Sequence, residues 1–100
     1  MEYDLILSSE QLAPLLKELN EWCVKDEKLF RVLHFKDFTK AIEFMNQVAI
    51  IAESMDHHPE WLNVYNKIEI NLVTHSEGGI TKLDIDLARE IDSHFKAFKL

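Results

Sequence analysis

The sequence predicts an α+β domain in the order α-β-β-α-β-β-α, with helices packed on one face of a four-stranded antiparallel sheet. Apolar residues recur at helical spacing over residues 38–55 and again over 83–98, which indicates two amphipathic helices. Residues 61–75 instead alternate between apolar and polar side chains, as strands with one buried face do. A length of 100 residues favours a single domain over residues 1–100.

The first three elements have short local signals. Ser8 lies three residues before Gln11, a spacing typical of a capping box, and the helix that begins there is expected to end near Asn20. Residues 22–24 (WCV) and 29–35 (LFRVLHF) are short apolar runs, which indicates two strands.

A long helix is predicted after Asp37, a residue suited to cap its start. It ends before Pro59, because the residue that precedes a proline is pushed out of the α region. Its apolar arc is broad enough to contact both the sheet and a second surface, such as another subunit. The arc consists of two stripes, Phe38, Ile42, Met45, Ala49 and Ala52 in one, and Phe44, Val48, Ile51 and Met55 in the other.

The alternating segment 61–75 is too long for one strand, since it would extend about 50 Å at ~3.3 Å per residue. We therefore predict a hairpin with a three-residue loop over 65–67. This register keeps apolar side chains opposite one another on the core face, in the pairs Val64–Ile68 and Leu62–Ile70. Extended by counting, it brings His57 to the level of His75.

The last helix is predicted to begin after Thr81, an N-cap residue, with Asp84 in its first turn. It is expected to reach about residue 98. Its predicted inward face consists of Leu83, Leu87, Ile91, Phe95 and Phe98.

Composition narrows the class of partner and the compartment. A net charge of −7 disfavours binding to nucleic acid or to an anionic membrane surface. Cys23 is the single cysteine, which excludes an internal disulfide and fits a reducing compartment. No apolar run approaches the roughly 20 residues of a membrane span, and the start MEYDLILSSEQ lacks the basic region of a signal peptide. These features favour the cytosol.

The predicted register gathers His57, His58 and His75 at one end of the sheet, and three interpretations are open. The first is structural, because imidazoles can cap helices or fill polar rim positions. It remains the interpretation for His34 and His94. A zinc site is disfavoured, because the chain has neither HxxxH nor CxxC spacing. Acid–base catalysis is the third, because histidine titrates near neutral pH and a cluster can offer both a proton donor and an acceptor.

Carboxylates and aromatic side chains accompany these histidines. Glu53 lies four residues before His57, on the same side of a helix, and Asp84 begins the last helix. Such carboxylates can orient an imidazole and stabilise its charged form. Trp61 and Tyr65 could offer flat surfaces to a planar heterocycle, although aromatic side chains beside a sheet more often serve packing. The residues alone indicate a small proton-transfer site.

A longer pattern resembles a known family. Glu53, three intervening residues and then His57-His58-Pro59, followed by Tyr65, His75 and Asp84, resemble the signature of the pterin-4a-carbinolamine dehydratases. The segment AESMDHHPEWLNVYNK and the FKDF at 35–38 strengthen the resemblance, which runs from about Ser8 to Phe98.

The resemblance implies the substrate 4a-hydroxytetrahydropterin, which loses water to give quinonoid dihydropterin in tetrahydrobiopterin recycling. It implies no metal and no organic cofactor. By this parallel, His57 and His75 donate protons to the hydroxyl group, His58 manages the N5 proton, and Glu53 and Asp84 orient the rings. The implied substrate-binding residues are Asp56, His57, His58, Pro59, Trp61, Tyr65, Val73, Thr74, His75 and Ser76.

The resemblance also implies a homodimer or homotetramer. A second implied role is that of a dimerisation cofactor or coactivator, with a transcription factor or a hydroxylase as partner. The compartment expected from the composition is the cytoplasm, and the nucleus is an additional compartment in the case of a eukaryotic source.

Overall fold

The computed structural model describes residues 5–99, and the predicted order of elements is confirmed. The first half contains α1 (Ser9–Glu18), β1 (Cys23–Lys25), β2 (Lys28–His34) and α2 (Phe38–Met55). The second half contains β3 (Glu60–Val64), β4 (Lys67–Leu72) and α3 (Lys82–Phe95), with a 3-10 turn over Lys96–Phe98. No helix among residues 5–99 combines the length and apolar character needed to cross a bilayer.

All three predicted helix caps are present. The Ser8 hydroxyl accepts from the Gln11 N–H at 3.2 Å, and the Gln11 side chain accepts from the Ser8 N–H at 2.8 Å, so the capping box is complete. Asp37 caps α2 through the N–H of Lys40 at 2.9 Å. Thr81 caps α3. Helix α1 ends two residues before the predicted Asn20, with Leu19 as its C-cap.

The four strands form one antiparallel sheet in the order β1-β2-β4-β3. Alternate residues of β2 and β4 are buried on the side where the helices pack, and their neighbours on the other face are half-buried. Helix α2 contributes Phe44 and Val48 to this core, and α3 contributes Leu87 and Ile91. The predicted sheet with helices on one face is therefore confirmed.

The predicted register of the β3–β4 hairpin is wrong. Val64 pairs with Lys67 instead of Ile68, so the loop contains two residues, Tyr65 and Asn66. As a result Leu62 and Val64 lie on the open face of the sheet, 56% and 55% exposed, while Trp61 pairs with Ile70 on the core side. Apolar pairing did not decide this register.

Polar contacts at the turn account for the observed register. The Asn63 side chain donates to the carbonyls of Tyr65 and Lys67 at 3.1 and 2.9 Å. Asn66 donates to the Phe35 carbonyl at 3.0 Å, and Tyr65 adopts a φ of 52°, which a tight two-residue turn requires. Side-chain hydrogen bonds to the backbone therefore close a shorter loop than apolar matching predicts.

Helices α2 and α3 depart from the predicted apolar faces at their edges. Phe38 and Ala49 of the predicted arc are exposed, Phe38 by 50%, so part of the arc is not covered within this chain. Ile50, which lies outside the predicted arc, is 73% exposed. Leu83, predicted to face the core from α3, is only partly buried. Phe98 packs against the core from the 3-10 turn instead of from α3.

Candidate functional site

The end of α2 delivers the paired histidines. Asp56 adopts a left-handed conformation with φ of 50°, and the N–H of His57 bonds to the Ala52 carbonyl at 3.0 Å. Pro59 then directs the chain toward β3, which begins at residue 60. His57 and His58 are therefore placed directly after the capped end of α2.

A tight turn after β4 delivers the third histidine. The Thr74 N–H bonds to the Gly79 carbonyl at 3.0 Å, and the N–H groups of Glu77 and Gly78 bond back to the Thr74 carbonyl. Gly78 has a φ of 76°, a conformation that suits glycine. This closed turn places His75 at its edge, facing the end of α2.

The two segments form one cleft of about 250 Å³, hereafter the histidine cleft. This volume lies just below the roughly 300–1,000 Å³ typical of small-molecule sites, so the cleft suits a small ligand. Its lining residues are Asp56, His57, His58, Val73, Thr74, His75, Ser76 and Leu83.

Asp84 anchors His57 from beneath the histidine cleft. Its side chain is fully buried, and one carboxylate oxygen lies 2.5 Å from His57 Nε2. The other oxygen accepts from the Thr74 hydroxyl and from the Thr81 N–H, each at 2.9 Å. The Thr81 hydroxyl lies 2.6 Å from that of Thr74 and completes the network. Both carboxylate oxygens are therefore satisfied, and the orientation of the His57 ring is fixed.

The other two histidines also meet carboxylates through Nε2. His58 Nε2 lies 2.7 Å from Glu53 Oε1, and His75 Nε2 lies 2.8 Å from Glu60 Oε2. Glu53 therefore contacts His58 and not His57, which corrects the prediction from helical spacing. The reason is that His57 lies beyond the end of α2, where the i,i+4 rule no longer applies. Each imidazole thus has one carboxylate partner.

Three of the predicted substrate-binding residues lie outside the lining of the histidine cleft. Trp61 lies on the core side of β3, opposite Ile70, and Tyr65 is 63% exposed at the tip of the hairpin, at the far end of β3. Pro59 starts the turn into β3. The remaining histidines are also elsewhere, with His34 at the end of β2 and His94 beside Gln47 and Glu90.

Two residues of the site were not predicted from the sequence. Glu60 contacts His75, and Leu83 lines the cleft. The observed hairpin register aligns Glu60 with Asn71, near the end of β4, so the correct register would have indicated its proximity to His75. Leu83 was assigned to the core because it shares the helical spacing of Leu87.

Glu60 also accepts a hydrogen bond from Lys28, whose Nζ lies 2.7 Å from Oε1. This hydrogen bond lowers the pKa of Glu60 below its ordinary value of 4.5, and His75 lowers it further. Because the folded-state pKa lies below the unfolded-state pKa, the contacts stabilise the fold above about pH 4.5. The contribution is lost as the pH falls through the folded-state value. It stays below about 1 kcal/mol, because these side chains are partly exposed.

Lys28→Met is expected to raise the pKa of Glu60 toward its ordinary value, because the largest cause of the lowering is removed. The side-chain carboxyl carbon of Glu60, followed by NMR during an acid titration, reports this pKa directly. A midpoint unchanged from that of the wild-type protein would contradict the assigned cause.

Four larger cavities of the described chain have no histidine in their linings. Among residues 5–99, no group of three or more His, Cys, Asp and Glu side chains is arranged to hold a metal ion. A larger cavity of about 500 Å³ lies between α1, β1 and residues 78–80, but its lining is mostly apolar and its one titratable side chain is Glu27. Proton transfer is therefore best supported at the histidine cleft.

Comparison with known proteins gives a consistent result. A model of the family described as pterin 4 alpha carbinolamine dehydratase matches residues 6–94. A relative from Bradyrhizobium sp. (strain ORS 278), provisionally named pterin-4-alpha-carbinolamine dehydratase, is 49% identical over 89 residues, covering 87% of this chain and 89% of the relative. A relative from Synechococcus sp. (strain WH7803) with the same provisional name is 46% identical, covering 88% of this chain and 95% of the relative.

A solved structure supports the same assignment. The crystal structure described as a transcriptional coactivator/pterin dehydratase from Brucella melitensis is 42% identical to this chain, with a TM-score of 0.87. The similarity covers 90% of this chain and 98% of that one. With the family model matching most of the sequence and the α+β fold shared, this chain belongs to the pterin 4 alpha carbinolamine dehydratase family.

Proposed function

We propose that this chain dehydrates 4a-hydroxytetrahydropterin to quinonoid dihydropterin by histidine acid–base catalysis, in tetrahydrobiopterin recycling. The observation that supports the proposal most directly is the convergence of His57, His58 and His75 on one small cleft. Family membership supplies the substrate class.

The reaction needs proton transfer at two positions of the pterin. The C4a–O bond breaks as the hydroxyl group receives a proton and leaves as water. The N5 lone pair forms the new C4a=N5 bond, and the N5 proton is then lost. The pterin ring supplies the electron pair, so the protein needs to supply one proton donor and one acceptor.

We assign the donor role to His57 and His75, which lie on the two segments that border the cleft. His58 is assigned to the N5 proton. Asp84 and Glu53 orient the rings of His57 and His58, because their carboxylates lie 2.5 and 2.7 Å from the Nε2 atoms. Because Nε2 of His57, His58 and His75 meets a carboxylate, we assign the other ring nitrogen, Nδ1, to contact with the substrate.

A turnover assay with chemically prepared carbinolamine tests the proposal. The protein is expected to accelerate the formation of quinonoid dihydropterin beyond the rate in buffer, and the acceleration should saturate with substrate. A rate equal to that in buffer at micromolar protein would contradict the proposed activity.

A second role as an interaction protein is supported by exposed apolar side chains of α2. Phe38 and Ile50 are 50% and 73% exposed, and such apolar side chains on one helix suit contact with another helix. The related Brucella structure is described as a coactivator as well as a dehydratase. We propose that α2 mediates a homodimer or homotetramer, or binds a transcription factor or hydroxylase.

Ile50→Glu is expected to lower the oligomeric state, because it places a charge in the proposed apolar contact. Light scattering coupled to size exclusion gives the mass of the assembly for comparison with the 11.8 kDa monomer. Leu5→Glu is the matched control, since Leu5 is 64% exposed but lies outside α2. Equal masses for Ile50→Glu and wild-type protein would exclude Ile50 from a self-association surface.

A further inference from the structure

Glu60 joins two elements of the sheet to the exposed histidine of the cleft. One of its carboxylate oxygens lies 2.7 Å from Lys28 Nζ on β2, and the other lies 2.8 Å from His75 Nε2. Glu60 is itself held by β3, where its backbone is in register with Asn71 of β4. The carboxylate is therefore fixed by the sheet on one side and available to His75 on the other.

We infer that Glu60, supported by Lys28, is a positioning residue that holds the His75 ring through Nε2 and leaves Nδ1 to exchange a proton with the substrate. This inference rests on the proposed dehydration. It concerns a residue outside the cleft lining, which acts through His75 and does not touch the substrate.

His75 needs such support more than His57 does. The His57 side chain is 8% exposed and meets a fully buried carboxylate, whereas the His75 side chain is 67% exposed on a turn. Among residues 5–99, Glu60 is the side chain that forms an ion pair with the His75 ring. An exposed ring without a partner samples several rotamers, and ordering it for catalysis costs conformational entropy.

The chemistry of the ring specifies which nitrogen acts. A carboxylate at Nε2 favours the tautomer with its proton on that nitrogen when the ring is neutral. When the ring is charged, both nitrogens carry protons, and the Nδ1 proton is the one not directed at Glu60. That proton moves to the 4a hydroxyl, which leaves as water, and the ring regains a proton from solvent.

The charged groups that face His75 come from each neighbouring element. Glu60 contacts the ring from β3, and Lys28 of β2 contacts Glu60, while Asp56, His57 and His58 line the same cleft as His75. Glu60 is thus the carboxylate in contact with His75, and Lys28 partly balances its charge. Removing the Glu60 charge should therefore change the order and tautomer of the His75 ring more than those of the His57 and His58 rings.

NMR of the ligand-free protein tests the positioning without any assay of activity. In the wild-type protein, the nitrogen and carbon signals of the His75 ring should indicate an ordered ring with the proton on Nε2. Glu60→Gln and Lys28→Met should each increase ring motion or mix the tautomers, with the larger change in Glu60→Gln. Equal ring order and tautomer in all three proteins would overturn the inference, whether or not the protein is a dehydratase.

Kinetics then test the link to catalysis. Glu60→Gln is expected to lower kcat about twofold to fivefold with little change in KM, the size expected for a partly exposed ion pair. In a His75→Ala background, Glu60→Gln should have no further effect, because the group it positions is absent. An equal decrease in both backgrounds would show that Glu60 does not act through His75.

The chain offers a matched control on the neighbouring strand. Glu69→Gln removes the same charge from β4, where Glu69 forms a 4.0 Å ion pair with Lys67 away from the histidine cleft. This variant should retain the wild-type kcat and the wild-type His75 spectrum. An effect of Glu69→Gln as large as that of Glu60→Gln would assign the change to net charge and overturn the positioning role.

Discussion

His58→Ala and His75→Ala are each expected to lower the kcat of carbinolamine dehydration about 10²–10⁴-fold, the usual contribution of one acid–base group. Each substitution removes one imidazole from the histidine cleft while leaving the buried Asp84 network intact. Initial rates with prepared carbinolamine, after subtraction of the rate in buffer, provide the measurement. Both side chains are largely exposed, 58% for His58 and 67% for His75, so folding should be little affected.

Two histidines outside the cleft serve as controls. His34 lies at the end of β2 and His94 on α3, so alanine at either position should leave the rate within about twofold of wild type. Wild-type turnover in both His58→Ala and His75→Ala would contradict the proposed mechanism. A comparable loss in His34→Ala would show that the assay reports something other than the cleft.

Asp84→Ala is expected to lower the free energy of unfolding by about 3 kcal/mol, because it leaves buried donors without their acceptor. This is the largest loss of stability expected among the substitutions proposed for this protein. The Thr74 hydroxyl, the Thr81 N–H and His57 Nε2 all lose their shared partner. For a domain of this size the midpoint of thermal unfolding should fall on the order of 15 °C. Activity should fall as well, because the His57 ring is no longer oriented.

Asp86→Ala provides the comparison within the same helix. Asp86 forms a partly exposed ion pair with Lys82, with its nearest oxygen 3.0 Å from the Lys82 ammonium group, so its loss should cost less than about 1 kcal/mol. Calorimetry or chemical denaturation measures both variants. Equal stability losses for Asp84→Ala and Asp86→Ala would contradict the importance of the buried network.

Local signals in the sequence were sufficient for the helices and the fold class. Ser8, Asp37 and Thr81 are short polar side chains directly before apolar periodic segments, and each one caps a helix in the structure. These caps depend on residues three positions apart at most, so a single sequence contains the necessary information.

The register of the β3–β4 hairpin could not be predicted from the apolar pattern, because apolar side chains occur at both odd and even positions of β3. Trp61 and Leu62 are both suitable for a core face, so the pattern does not decide between them. The choice depends on hydrogen bonds from Asn63 and Asn66 to backbone carbonyls, which sequence periodicity does not represent. A shift of one residue then exposes Leu62.

The histidine cleft was predicted from a register that proved wrong, yet its histidines do line one cleft. The prediction succeeded because His57 and His58 must leave α2 before Pro59, while His75 follows directly after β4. The end of α2 and the end of β4 lie at the same end of the sheet in either register. Glu60 was missed for the opposite reason, since its proximity to His75 depends on the observed pairing.

Soaking an oxidised pterin into crystals of this protein is the most direct measurement. We predict that its fused rings lie between His57 and His58 on one side and His75 on the other, with ring nitrogens rather than solvent facing the imidazoles. Density for the pterin in the apolar cavity beside α1, with the histidine cleft occupied by water alone, would contradict the proposed site.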